Sequence, residues 1–68
     1  MDINKAIELL HRALRVDCKD PQNHYYLGLA YSFVDGHHEE AIRHVEEAVS
    51  LKPDYLRAYS LLAELLAS

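Results

Sequence analysis

The chain has 68 residues, half of them hydrophobic and 26% charged, with a formal net charge of −4. A chain of that length makes one small domain whose core is marginal without disulfides, metal or partners, and its apolar half excludes a disordered tail. No run approaches the roughly 20 apolar residues that span a bilayer, and the segment Met1 to Lys5 lacks signal-peptide character, so no membrane insertion is expected.

The first arm, about Ile3 to Val16, reads as an amphipathic helix. Ile3, Ile7, Leu10, Leu14 and Val16 form its buried stripe, Ala6 and Ala13 allow close approach, and Glu8 and Arg12 pair on the surface at i and i+4. A helix starting almost at Met1 suits a segment cut from a longer array, or a designed fragment, better than a natural beginning. Cys18, the single cysteine, excludes an internal disulfide. It reads as an accessible loop thiol in a reducing compartment, hence an intracellular, cytoplasmic setting.

Asp20-Pro21 starts the next helix: the carboxylate can cap free N–H groups, and proline supplies a fixed φ where no N–H is needed. From His24 to Val34 the residues are apolar or aromatic nearly all round, so this helix must be covered on several sides. Asp35-Gly36 ends it, because glycine accepts the left-handed conformation. A further helix runs from about His37 to Ser50, with Ala41, Ile42, Val45, Ala48, Val49 and Leu51 on one stripe; Pro53 bars its continuation. A last helical arm covers about Tyr55 to Ala67.

Sliding the sequence on itself by 35 residues superposes Ala6 on Ala41, Ile7 on Ile42, Ala13 on Ala48 and Leu27 on Leu62. Leu10, Leu14, Val16, Gly28 and Tyr31 fall on Val45, Val49, Leu51, Ala63 and Leu66. The chain therefore contains an internal repeat: the first arm copies the third helix and the last arm copies the second.

These residues resemble the tetratricopeptide repeat (TPR) family. Its pattern is matched by His24, Leu27-Gly28, Tyr31, Ala41, Val45, Ala48 and the closing Pro53, by Ala6, Leu10 and Ala13 in a leading half-repeat, and by Tyr59, Leu62 and Ala63 in a trailing one. Three departures stand out. The step from Gly28 to Ala41 is one residue longer than a repeat of about 34 allows, His24 replaces a large aromatic, and Cys18 stands where the first closing proline would be. The resemblance implies an all-α fold in which antiparallel helix-turn-helix repeats stack as a right-handed solenoid of about four helices. It divides the single domain into residues 1–19 (half-repeat, second helix), 20–53 (complete repeat) and 54–68 (half-repeat, first helix).

The five histidines raise a metal hypothesis. His38-Glu39 is followed by Ile42 where a second ligand would stand, and His44 is placed to pair with Glu40, so solvated or interface histidines are expected and no metal or cofactor. No serine sits in a glycine elbow, no glycine-rich loop could cradle phosphate, and no carboxylate pair is isolated in an apolar pocket, so no catalytic residue is expected. Arg43 and Arg57 lie on different elements of an acidic chain, which leaves no basic stripe for nucleic acid.

Partner binding remains. The resemblance implies a concave groove for a peptide or helix of a partner protein, lined by Gln22, Tyr25, Leu29, Ser32 and Phe33 of one repeat and by Arg57, Ser60 and Glu64 of the next. The basic and asparagine clamp for a partner's terminal carboxylate has no counterpart, because Tyr25 and Leu29 occupy those places. A second expectation is self-association: the end helices carry copies of surfaces that pack together inside the chain, which allows head-to-tail homo-oligomers.

Overall fold

A computed structural model describes residues 2–67. Met1, on which the reading of the chain's beginning rests, lies outside them. The described residues form four helices and no strand: α1 (Ile3–Val16), α2 (Pro21–Ser32), α3 (His38–Leu51) and α4 (Leu56–Ala67). The fold is all-α. The internal repeat is expressed in the backbone, because α3 begins and ends 35 residues after α1, and α4 does the same after α2.

Local signals account for most helix boundaries. Asp2 caps α1, its Oδ1 accepting the Lys5 N–H at 3.2 Å, and Asp20 caps α2, its Oδ1 accepting the Gln22 N–H at 2.9 Å with Pro21 in the first turn. α2 stops two residues before the expected Val34. Its last carbonyls, those of Ala30 and Tyr31, are taken by the N–H groups of Phe33 and Val34, which tightens the end into a turn. Gly36, with φ of +82°, then supplies the left-handed residue of the turn before α3. α3 and α4 each begin one residue later than expected, a difference within ordinary fraying.

α2 packs most closely along α3, α4 rests on α3 and touches α2, and α1 rests mainly on α2, reaching α3 through the ring of His11. The core cluster sits on α3 and α4, covered by α2: Ala41, Val45, Ala48 and Ala58 are wholly buried, with Leu61 and Leu65 nearly so; on α2 itself Leu27 is wholly buried and Ala30 nearly so. Gly28 makes the close approach of α2 to α3 possible. A Cβ there would lie 2.4 Å from Val45 Cγ2 and 3.0 Å from the Ala41 carbonyl oxygen, closer than packed atoms tolerate.

The two end helices are less covered than the repeat pattern implies. No residue of α1 is fully buried, Ala6 and Ala13 are half-buried, and Val16, read as part of the buried stripe, is 90% exposed just before the turn. On α4, Tyr59 and Ala63 are exposed and Leu62 is half-buried, whereas Ala58, Leu61 and Leu65 carry the burial. The physical reason is directional. α4 turns the latter three toward α3 and α2, and no described helix lies against its other side. Pro53 stands exposed in the turn between α3 and α4, where its ring blocks further helix.

Candidate functional site

An apolar concavity lies between α1 and α2. Ile3, Ala6, Leu9 and Leu10 line one bank, and Tyr26, Leu29, Ala30 and Phe33 the other, around a volume of about 410 Å³. Its lining is apolar, and three of its side chains reach into solvent: Leu9 is 51% exposed, Tyr26 44% and Phe33 70%. Beside Leu9, Asp2, Asn4, Lys5, Glu8 and Arg12 form a polar dent, with Glu8 and Arg12 paired at 2.9 Å as their spacing predicts. The polar dent adjoins the groove at Leu9, which lines both.

Of the groove residues expected from sequence, this site includes Leu29 and Phe33 and no others. Gln22 is exposed at the start of α2, and Ser32 is exposed with its hydroxyl donating to the Leu29 carbonyl. Tyr25 is half-buried between the rings of Tyr26 and Tyr55, at 5.4 and 5.3 Å. Arg57, Ser60 and Glu64 are exposed on α4. α2 and α4 touch over a short stretch, so the concavity opens on the other flank of α2, toward α1. Leu29 serves both sides, since it also packs against the core.

A second cluster joins α1, α2 and α3. The rings of His37, Tyr31, His44 and His24 stack in a column, with centroids 5.5, 5.7 and 5.6 Å apart, and His11 of α1 meets Tyr31 and His44 edge-on. His24 Nε2 lies 2.9 Å from the Cys18 carbonyl oxygen. A carbonyl only accepts, so that nitrogen carries the proton and Nδ1 of neutral His24 is an acceptor. Nδ1 of His44, 3.4 Å away, must then donate to it. His11 Nε2 bonds the Tyr31 hydroxyl at 3.0 Å.

Burial, and then the nearby His24 and His11, hold the His44 imidazolium below the usual histidine range. The sequence expectation paired His44 with Glu40. Instead Glu40 bonds His37, one helical turn before it, and that bond is the main cause lowering the Glu40 carboxyl. Ring stacking on Tyr31 and His24 holds His44 toward α2.

Among the described residues no group of three or more His, Cys, Asp or Glu side chains could hold a metal ion, and no helix is long and apolar enough to cross a membrane. Cys18 is exposed in the turn after α1. No family model, curated protein or solved structure matches the chain, and what the groove does has to follow from its shape and chemistry.

Proposed function

We propose that the chain is a protein-interaction module built from helical repeats of the tetratricopeptide kind, which binds an amphipathic helix of a partner protein without catalysis. The observation that carries this reading is the apolar groove between α1 and α2. Its two banks are helices, its floor includes the small residues Ala6 and Ala30, and its rim offers Leu9, Tyr26 and Phe33 to an apolar stripe. A helix laid there would present residues at i, i+3, i+4 and i+7. The solenoid arrangement is supported by the repeat pattern and by the equal 35-residue displacement of both helix pairs. An intracellular, cytoplasmic setting belongs with this reading and suits the exposed thiol of Cys18.

The test is a titration of isotope-labelled protein with a short amphipathic helical peptide, followed by amide shifts. Shifts are expected between Ile3 and Leu10 and between Tyr26 and Phe33. Leu9→Glu is expected to weaken binding tenfold or more while leaving the helical signal intact, since burying an exposed leucine contributes about 1.5–3 kcal/mol. Shifts confined to Gln22, Arg57, Ser60 and Glu64 would return the site to the other flank of α2 and overturn this one.

A further inference from the structure

We infer that the groove between α1 and α2 takes helix α4 of a second copy of this chain, in a head-to-tail contact that continues the internal repeat from one molecule into the next. This rests on the groove being a helix acceptor and names its occupant.

The 35-residue repeat identifies that occupant. Moved forward by one period, the groove residues Ala6, Leu10, Tyr26 and Ala30 become Ala41, Val45, Leu61 and Leu65, all four buried members of the core. Within the chain, that α3–α4 surface is covered by α2, through Tyr25, Leu29, Tyr31 and the backbone at Gly28. The groove is thus an open copy of a seat that α2 fills elsewhere in the same molecule. A helix equivalent to α2 is the complementary occupant, and α4 is that helix one period on.

The face that α4 would use is also open. Tyr59, Leu62, Ala63 and Leu66 stand where α2 has His24, Leu27, Gly28 and Tyr31, at i, i+3, i+4 and i+7 on one stripe. Among them Tyr59 and Ala63 are exposed and Leu66 is 65% exposed. The closest side-chain contact of the seat is relieved, while the backbone at Ala6 and Leu10 would have to stand slightly farther from Ala63 than Ala41 and Val45 do from Gly28. Inside the chain, glycine faces the β-branched Val45, whose Cγ2 leaves no room for a Cβ. In the contact between molecules, Ala63 would face Leu10, which has no branch at Cβ and can turn its side chain away.

Tyr25 and Leu29 are replaced by Ser60 and Glu64, so the contact between copies is less apolar than its counterpart within the chain. It is weak and concentration-dependent. Because the two surfaces differ, it is heterologous and adds molecules in one direction.

Sedimentation equilibrium tests this with three proteins: wild type, Leu9→Glu in the groove and Leu66→Glu on α4. Both sites are exposed, and circular dichroism checks that each variant keeps its helices. The wild-type mass is expected to rise at least twofold over about a hundredfold range of concentration, without a plateau at the dimer. Each variant alone is expected to stay monomeric, while their mixture forms a one-to-one pair and stops there, since one supplies the helix and the other the seat. A mixture that stays monomeric, or a variant that still self-associates, overturns the inference.

A labelled peptide of residues 20–33, the sequence of α2, separates the two levels. If it binds the Leu66→Glu protein while the variants fail to pair, the groove accepts a helix but the second copy is excluded. If neither binds, the groove reading falls too.

Discussion

The junction of α3 with α4 and the junction of α1 with α2 are built from the same repeat positions, yet one is closed and the other open. At the first, Ala41, Val45 and Ala48 are wholly buried beneath α2 and α4. At the second, Ala6, Leu10 and Ala13 are only half-buried, and the surface that Ala6 and Leu10 share with Tyr26 and Phe33 is a groove. The same small-large-small pattern therefore lies in a core where three helices meet and beside an open apolar groove where two do. Burial is a property of the neighbours that a repeat position receives, and not of the residue alone.

The sharpest way to break that contrast is Gly28→Leu. Where α2 covers the closed junction there is no room for a Cβ, and the first contact is the wholly buried Val45. The loss should be about 3 kcal/mol or more, enough to unfold much of a domain whose total stability is roughly 0.05–0.15 kcal/mol per residue. Ala63→Leu, at the matching open position of α4, should move the thermal midpoint little. Equal effects in melts followed by circular dichroism would erase the distinction between the junctions.

Truncation gives a milder version. Val45→Ala should cost about 2 kcal/mol, through lost burial and a cavity, and Leu10→Ala about half of that despite removing a larger side chain, because its site is already open to solvent. Urea unfolding measures both. A Leu10→Ala loss equal to or above that of Val45→Ala would mean that the α1 junction contributes as a core.

The histidine column adds a dependence on pH. Folding lowers the affinity of His44 for a proton, so the unfolded chain binds more protons. Stability from this group is then present above the unfolded histidine range and is lost as pH falls through the lowered value. His24 and Tyr31 of α2, His11 of α1 and Arg43 and Glu47 of α3 surround it; only Glu47 favours the charged form. The midpoint should fall between pH 7.5 and 5.5, and His44→Gln should flatten that slope; an unchanged slope would place the dependence elsewhere.

The smallest effect concerns the caps. Asp20→Ala should cost about 1 kcal/mol, because it frees the start of the central helix, and Asp2→Ala less, at the start of the least covered one. A larger loss at Asp2 would mean that α1 carries more of the fold than its burial indicates.

Much of the fold was legible in the sequence. Asp20-Pro21 and Gly36 punctuate the chain through backbone chemistry that needs no tertiary context, and the 35-residue repeat fixed the equivalence of the helices. The coverage of the ends was not legible. Val16, Tyr59 and Ala63 follow the repeat pattern, but their burial depends on helices that are not against them. The concavity between α1 and α2 was not legible either, because Leu9 falls outside the regular stripe of α1, and because the crossing of α1 over α2 is a packing outcome. The histidine column had a signal that went unread: His24 and Tyr31 are two turns apart on one helix, His37 and His44 two turns apart on the next, and an antiparallel hairpin interleaves them.

The absence of any fully buried residue in α1 has a consequence for recognition itself. A helix held by half-buried contacts, almost all of them to α2, undocks at a free energy well below that of global unfolding, and its amides exchange with solvent first. Half of the groove departs with it. An occupant must then wait for, or draw in, the docked population, and its apparent affinity is scaled by that fraction. Substitutions on the far side of α1, touching no ligand, would thereby tune binding through the docking equilibrium, and anything that fills the groove would slow hydrogen exchange along the whole of α1.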